Sequence, residues 1–288
     1  MANRRGRKRK GKNKGREVST LMIFVVVFVA YMLLTLICTY LYNYLPLPNV
    51  GGIWGRDSFY ESFVQGMYSS LADFFIFTLL LSCMMNRWER KNTLRKYHEE
   101  IEACRFWFEP QAAFRLRALI LNLQKENVFE VDLTKCYMEK IKLKRIRLEN
   151  SELMGAQINK SNLEHSEFLE CNFRGAYLED AILRSCKFDK CVLEYLKCKG
   201  SNLRSIKMYN CVLSGSDFTD ADMGAAIIKC CNLKNVKFEN CNMERANLLG
   251  CTEIDIHELV KSKNLKHVKV DKTIKCQIKN AYPQVQLD

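Results

Sequence analysis

Proline and histidine are both scarce in this chain, with four residues of each among 288. So little proline argues against long proline-rich linkers. No histidine pairs with a serine, cysteine or carboxylate in a recognisable catalytic motif, and the chain has no P-loop, GxGxxG or zinc-protease sequence. The sequence therefore predicts a protein that is not an enzyme and has no metal or cofactor. The histidines are His98, His165, His257 and His267.

Charge is absent from residues 21–45, an apolar run long enough to cross a hydrocarbon core about 30 Å thick. A second apolar run covers about 63–86. Together the two runs predict a two-helix transmembrane hairpin over 21–86. The loop between them, 46–62, has Arg56 as its single basic residue.

Basic residues flank the predicted hairpin on both sides. Because Lys and Arg collect on the cytoplasmic side of membrane proteins, both termini are expected in the cytoplasm of a bacterium, with the hairpin in its inner membrane. The basic tail, 1–20, suits either nucleic acid or anionic lipid, and the adjoining apolar run favours topology and lipid. Nucleic acid is therefore an unlikely partner. The basic residues expected to face lipid are Arg4, Arg5, Arg7, Lys8, Arg9, Lys10, Arg87 and Arg90.

Asp73 is the one charged residue inside the second apolar run. A carboxylate within a membrane is a functional candidate, because such groups are expensive to bury in lipid. The alternative is that the span begins near Ser70 and that Asp73 lies at the outer interface. The polar or small residues that precede it suit either helix packing in a homo-oligomer or a loop. They are Gln65, Gly66, Ser69 and Ser70.

Apolar side chains recur at every fifth residue from Leu133 to Leu248, at 24 of 24 positions. A second series, two residues earlier, is small or aliphatic, and neither series contains a charge. This period fits neither an α-helix, at about 3.6 residues per turn, nor a flat strand, at about 2. It indicates a chain that turns a corner every five residues and points one large and one small side chain inward.

Several of these five-residue units match the consensus A-[DN]-[LF]-x-x. Examples are Ser161-Asn162-Leu163, Ser216-Asp217-Phe218 and Ala246-Asn247-Leu248. The chain thus resembles the pentapeptide-repeat family over about 120 residues. The resemblance implies an all-β, right-handed quadrilateral β-helix with four pentads per coil, so that the 24 pentads would form six coils.

The predicted organisation has five parts, which are a basic tail (1–20), the hairpin (21–86), a helical linker and N-terminal cap (87–128), the β-helix (129–252) and a C-terminal cap (253–288). Within the linker, an apolar helical face is expected to cover the first coil. That face comprises Phe114, Leu116, Leu119, Ile120 and Leu123. In the C-terminal cap, Leu259 and Leu265 are expected to cover the last coil. The large side chains expected in the repeat core are Phe168, Phe173, Leu178, Leu183, Phe188, Leu193, Leu203, Leu213, Phe218, Leu233, Phe238 and Leu248.

Five cysteines occupy the small position of every fourth pentad, and with four pentads per coil they should stack in successive coils. They are Cys171, Cys191, Cys211, Cys231 and Cys251. One interpretation is a metal or redox ladder. The other, which we favour, is that cysteine is a small buried residue in a slot that Ser and Ala fill elsewhere, because a linear ladder is a poor tetrahedral zinc site.

These features predict a non-enzymatic scaffold or protein-interaction module, anchored in the membrane, that presents the β-helix to a protein partner. Exposed aromatic residues are the expected contacts, namely Phe129, Tyr177, Tyr195 and Tyr209. The alternative is a membrane effector, for example in bacterial phage defence, in which an oligomerised hairpin permeabilises the membrane and the β-helix senses or assembles. DNA mimicry, known in the family, requires an acidic surface that this nearly neutral repeat lacks.

Overall fold

The computed structural model describes residues 26–41 and 57–283. Two compact units, 1–92 and 93–288, divide the chain. Helix α1 covers Val26–Leu41 and helix α2 covers Asp57–Glu102. By length and composition, one described helical segment, Gln65–Glu102, is apolar enough to cross a membrane. The ends of the first predicted span, residues 46–56 of the intervening loop and the basic tail lie outside the described residues. Residues 57–62, predicted as loop, are helical and belong to α2.

Helices α1 and α2 pack against each other in antiparallel orientation within the first unit. The Phe28 and Phe74 rings stack with centroids 6.2 Å apart. Nearer the hairpin tip, the Tyr31 and Ser70 hydroxyl oxygens lie 3.1 Å apart. At the centre of the contact Thr35 is 1% exposed. The helices thus meet through aromatic and hydroxyl side chains, and the placement of this hairpin in a membrane stays a prediction.

Parallel strands that recur once per coil build the second unit. Its five-stranded sheet has the order β1-β2-β3-β4-β5, and Leu148 pairs with Phe168, which pairs with Phe188, in unbroken register. The strands are β1 (Arg147–Glu149), β2 (Glu167–Leu169), β3 (Lys187–Asp189), β4 (Lys207–Tyr209) and β5 (Ile227–Lys229).

Single parallel bridges continue the same spacing on the other sides of the coil. One ladder of bridges rises by four pentads at each step and leads from Asp132 through Asn172 and Val212 to Thr252. Further ladders begin at Tyr137 and Lys142. The prediction of a parallel β-solenoid built from pentads is therefore confirmed.

The central residue of each pentad points inward and is almost fully buried. Phe168 and Phe188 stack with centroids 4.7 Å apart, and Phe173 meets Phe168 edge-on at 5.1 Å. All twelve large side chains named above for the core are at most 2% exposed. Burying a side chain of this size contributes roughly 1.5–3 kcal/mol, so this column is a main source of the solenoid's stability.

The small position, two residues before each centre, links one coil to the next through its side chain. Ser161 donates its hydroxyl proton to the Met138 carbonyl at 2.7 Å, and Ser216 donates to the Leu193 carbonyl at 2.6 Å. The Cys191 thiol makes the equivalent contact with the Phe168 carbonyl, at 3.4 Å. These carbonyls belong to central residues one coil earlier. Ser and Cys therefore suit this slot because they are small and also donate a hydrogen bond.

The corner position, two residues after each centre, has a positive φ at every pentad from Lys135 to Gly250. These φ values lie between 47° and 74°, the left-handed region that disfavours residues with a Cβ. Only five of these corners are glycine. The neighbouring coil holds the others in place, as where the Lys190 N–H donates to the Tyr209 carbonyl at 2.9 Å.

Helices close both ends of the solenoid. Helix α3 (Pro110–Lys125) buries Leu116, Leu119, Ile120 and Leu123 against the first coil. The prediction for Phe114 is wrong, because its side chain is 66% exposed. The reason is geometric, since Phe114 lies about 170° around the helix from the mean direction of Leu116 and Leu123, outside the arc that the coil covers.

At the C-terminal end, helix α4 (Ile256–Leu259) buries Leu259, and Leu265 is 7% exposed. The Asp255 carboxylate caps α4 by accepting from the His257 N–H at 2.8 Å. Helix α5 (Lys272–Ala281) follows and buries Ile278. The sequence interpretation included no second helix in this cap.

The corner conformation predicts opposite effects for two substitutions. Ser205 is an exposed corner with φ 57°, so Ser205→Gly should raise the free energy of unfolding by about 0.5–1 kcal/mol. Gly175 has φ 63° and open space around its Cβ direction, so Gly175→Ala should lower it by about 1 kcal/mol through backbone strain alone. Urea titration of the detergent-solubilised chain measures both.

Ser214→Gly is the matched control, because Ser214 precedes a corner and is not among the residues with positive φ. Its substitution should lower stability through backbone entropy and through loss of the hydrogen bond that its hydroxyl donates to the Asn232 side chain at 3.4 Å. Equal effects of glycine at 205 and 214 would contradict this account of the corners.

Candidate functional site

The surface of the first unit is apolar on the sides that face away from the helix pair. Exposed fractions reach 55% at Ile37, 62% at Phe77 and 67% at Met84. Large exposed apolar patches mark surfaces that contact lipid or another protein. The other exposed large apolar residues of the two helices are Val26, Val27, Val29, Met32, Leu33, Leu34, Leu36, Tyr40, Leu41, Phe63, Tyr68, Phe75, Ile76, Leu79, Leu80, Met85 and Trp88.

Asp73 lies on this apolar surface and not in the contact between the helices. Its side chain is exposed, whereas its neighbour Phe74 is partly buried against Phe28. Within the described residues, Asp73 has no hydrogen bond or ion pair. The carboxylate is therefore presented outward among apolar side chains.

The basic residues predicted to face lipid are described only in part. Arg87 and Arg90 are exposed beside Trp88, near the end of the apolar stretch of α2. Such a pairing of Trp with Arg is typical of a membrane–water interface. The six basic residues named in the tail lie outside the described residues.

In the second unit, the most exposed of the predicted contact residues is Tyr195, at 56%. It occupies a corner, and the corners one coil before and one coil after are Gly175 and Gly215. A Cβ on Gly215 would lie 2.7 Å from the Tyr195 ring, so glycine is what allows the ring to lie flat there. Tyr177, Tyr209 and Phe129 are partly buried.

Cations flank Tyr195 and Tyr177, which lie on two adjacent sides of the solenoid. Arg174 lies 5.8 Å from the Tyr195 ring centroid, and Lys197 lies 4.1 Å from that of Tyr177. Met154, 41% exposed, lies one coil before Arg174 in the same column. We call these five residues the Tyr195 surface. Tyr, Arg and Met are enriched at protein interfaces, so the composition suits recognition of a protein.

The five stacked cysteines lie inside the solenoid. Cys171, Cys191, Cys211 and Cys231 are each 1% exposed, and Cys251 at the end is 6% exposed. Among the residues that the structure describes, no group of three His, Cys, Asp or Glu side chains has the arrangement to hold a metal ion. The five stacked cysteines are thus buried thiols that donate hydrogen bonds to backbone carbonyls.

Burial also suppresses ionisation of other interior thiols. It raises the pKa of Cys186 and of Cys241 to about 12, so both are neutral at physiological pH. Since the thiolate is the nucleophile and the metal ligand, these cysteines are inert. Cys83, Cys230 and Cys276 are exposed.

A polar recess of about 440 Å³ opens beside the first coil. His98, Glu130, Asp132 and Glu152 are among its lining residues. Burial opposes ionisation of Asp132, but hydrogen bonds from Thr134 and Arg105 outweigh it and hold the pKa of this carboxyl below its usual value. The recess is open to solvent and lined by carboxylates. One of them, that of Asp132, forms an ion pair with Arg105.

Family profiles match the repeat region of the solenoid. A profile described as pentapeptide repeat region matches 128–198, and one described as pentapeptide repeats (8 copies) matches 197–229 and 231–252. The repeat region belongs to the pentapeptide-repeat family. The hairpin lies outside these matches. No curated protein matches the chain in sequence.

Solved pentapeptide-repeat structures are similar to the chain at low identity. QnrB1, a plasmid-mediated fluoroquinolone resistance protein, is 14% identical, with 52% of this chain and 100% of that chain covered and a TM-score of 0.30. A protein from the Arabidopsis thaliana thylakoid lumen is 19% identical over 36% of this chain and 69% of its own, with a TM-score of 0.26. HetL, involved in heterocyst differentiation regulation in the cyanobacterium Nostoc, is 17% identical over 52% of this chain and 95% of its own, with a TM-score of 0.20. At these values the likenesses carry no argument about what this pentapeptide-repeat chain does.

The burial of the cysteines predicts which thiols react. In the detergent-solubilised chain, a water-soluble thiol reagent should label Cys230 and Cys276 fast, and the ladder cysteines roughly a hundredfold more slowly. All should react after denaturation. Mass spectrometry of labelled peptides measures the rates, and elemental analysis of the same sample should find no stoichiometric zinc or iron. Rapid labelling of Cys191 or Cys211, or one bound metal per chain, would contradict the structural role of the ladder.

Proposed function

We propose that this protein is a non-enzymatic scaffold, anchored in the bacterial inner membrane by its hairpin, whose cytoplasmic β-helix binds a protein partner. The observation that carries the anchoring is the largely apolar exterior of α1 and α2, with Tyr31, Thr35 and Ser70 turned inward between the helices. Polar exceptions among the exposed side chains are Gln65, Ser69 and Asp73. This distribution favours lipid as the surrounding medium, because water would favour the reverse.

The distribution of basic residues supports the cytoplasmic placement. Arg87 and Arg90 follow the apolar part of α2, and the N-terminal tail precedes α1. The loop 46–62 contains only Arg56. By the positive-inside rule both flanks, and hence the β-helix, belong on the cytoplasmic side.

The family membership supports the scaffold function. Pentapeptide-repeat proteins are generally interaction or scaffold modules and are usually not enzymes. In this chain every coil inside the matched region is held by backbone bonds to its neighbours, so the outward side chains stand on a rigid support. A rigid surface loses little entropy on binding, which favours affinity.

The Tyr195 surface is the part of the solenoid that we propose as the contact. Tyr195 offers a large exposed ring, and Arg174 holds it from one side while also pairing with Glu194 at 3.4 Å. Lys197 and Tyr177 extend the same surface. A partner with an apolar residue next to a carboxylate would complement these rings and cations.

A photo-crosslinking amino acid at position 177, in the full chain in its native membrane, should give one discrete protein adduct. Tyr195→Ala should weaken partner binding roughly thirtyfold, as expected for an interface hot spot. Gly215→Ala should weaken it too, because its Cβ displaces the ring that lies 2.7 Å away. The affinity of the purified, detergent-solubilised chain for the identified partner measures both effects.

A crosslinker at Lys207, which is exposed in β4 on another side of the coil, is the matched control and should give no such adduct. The chain should remain in the membrane pellet after alkaline carbonate extraction. Release by carbonate would overturn the anchoring, whereas retention with no adduct at 177 would overturn the contact surface.

A second candidate function is a membrane effector, in which the hairpin permeabilises the bilayer. The observation that favours it is the carboxylate of Asp73, which is turned away from α1, because ionisable groups that face the interior of a membrane helix bundle mark ion paths, and oligomerisation would create that interior. The β-helix would then sense or assemble.

Overexpression should in that case arrest growth and admit a membrane-impermeant dye. Asp73→Ala should reduce dye entry severalfold, because it removes the only charge of the apolar stretch. Thr78→Ala, a polar residue on the face toward α1, is the control and should leave dye entry unchanged. Dye entry that is absent, or is equal in the Asp73 variant, would exclude the effector function.

A further inference from the structure

Polar and small side chains form a stripe on the outward surface of α2. Gln65, Ser69 and Asp73 recur at intervals of four, and side chains at this spacing lie on one side of a helix. All three are exposed. Gly66 and Ala72 border them and are exposed too. We call Gln65, Ser69, Ala72 and Asp73 the Asp73 stripe.

The stripe does not overlap the face that packs on α1. That face consists of residues such as Met67, Ser70 and Phe74, which are buried or partly buried. Within the described residues neither Gln65 nor Asp73 makes a side-chain hydrogen bond, and Ser69 donates only to the carbonyl of Gly66, at 3.0 Å. The intramolecular packing of the hairpin therefore leaves the polar groups of the stripe unused.

The depth of Asp73 follows from two aromatic residues of α2. Tyr68 and Trp88 are 20 residues apart, which in a helix is about 30 Å, the thickness of a hydrocarbon core. With these rings at the two interfaces, Asp73 lies about 8 Å inside the outer boundary. An aspartate side chain is too short to reach headgroups from that depth, so its carboxyl needs a partner within the membrane.

We propose that the chain forms a parallel homo-oligomer in the membrane through the Asp73 stripe of α2. This inference rests on the membrane-embedded hairpin of the proposed function. All copies share one topology, so the same residues of two copies lie at the same depth and Asp73 meets Asp73. Two facing carboxyls hydrogen-bond when they share one proton, with the O–H of one donating to the carboxylate of the other.

Small side chains also allow close approach of the two helices at this stripe. Gly66, Ser69 and Ala72 are small, and small residues at one helix face let membrane helices come within hydrogen-bonding range. One turn further on, Ile76 and Leu80 continue the same side of α2 toward Cys83 as exposed apolar side chains. The chemistry of the stripe thus fits a second copy of itself.

Cys83 provides a native reporter of this interface. It is exposed and lies three helical turns from Ala72 on the same side of α2. In parallel copies joined at the stripe, the two Cys83 thiols lie near each other. Oxidation by copper–phenanthroline, with oxygen as the electron acceptor, removes two thiol protons and two electrons and forms one disulfide.

The experiment uses the full chain in native membranes, with Cys38, Cys230 and Cys276 changed to Ser. Cys83 should form a covalent dimer on oxidation, seen on a non-reducing gel. The matched control carries Cys83→Ser with Met85→Cys, which moves the thiol to the opposite side of α2, and should form little dimer. Equal crosslinking at both positions, or adducts of Cys83 only with another protein, would overturn the proposal.

Asp73 variants test the hydrogen bond itself. Asp73→Ala should raise the dimer dissociation constant roughly three- to thirtyfold, as expected for loss of an interhelical hydrogen bond, when measured by energy transfer on dilution in lipid. Asp73→Asn should keep most of the affinity, because an amide both donates and accepts. An unchanged constant in Asp73→Ala, or a monomer at all dilutions, would overturn the interface.

Carbonate extraction of the same membranes separates the two proposals. Retention of the chain without association refutes the interface and leaves the anchoring intact. Release of the chain refutes the anchoring, and with it the interface.

Discussion

The hydrogen bonds between successive coils are the interaction on which the solenoid depends. Most central N–H groups donate to the next coil, as from Leu193 to Val212 at 2.7 Å, and most corner N–H groups do the same, as from Tyr195 to Ser214 at 2.9 Å. These bonds form only if the chain turns at every fifth residue, which requires the left-handed conformation at all the corners. The ladder holds 19 residues other than glycine in that region, so its cooperativity outweighs a cost of about 1 kcal/mol at many of them.

The two units place apolar and hydroxyl side chains in opposite arrangements. In the solenoid the apolar side chains point inward and hydroxyls such as that of Ser216 satisfy buried carbonyls. In the helix pair the hydroxyls of Tyr31 and Thr39 are turned toward the partner helix, and the apolar side chains point outward. Apart from Gln65, Ser69 and Asp73, which are exposed, this inversion is what the proposed membrane anchor requires.

The repeat was predictable because its period is strict and its inward series excludes charge. From Phe168 to Leu248 the residues named for the core are those that the structure buries. The prediction that Phe114 is buried failed because hydrophobicity alone does not reveal how much of the circumference of α3 packs on the first coil. Helix α5 was missed because its apolar signal consists of little more than Ile274 and Ile278 on a basic segment.

Features of the candidate site depend on neighbours one coil apart, which composition does not reveal. The position of the Tyr195 ring over Gly215, and the cation of Arg174 beside it, follow only once the coil length is known. The outward direction of Asp73 likewise needed the packing of α1 on α2, because the sequence alone left open which side of the helix was covered.

Because each coil has four sides, the position of a residue along the chain sets both its height in the solenoid and the side on which it lies. Since the ladders repeat every four pentads and each side takes one pentad, insertion of one pentad would turn every later side by a quarter revolution relative to the first coil. Insertion of four pentads would restore the original directions and only lengthen the stack. A partner bound to a coil after the insertion would thus be rotated about the solenoid axis in the first case. In the second case it would be shifted along the axis without rotation. The number of pentads before Tyr195 therefore sets the direction, relative to the first coil, in which the Tyr195 surface faces.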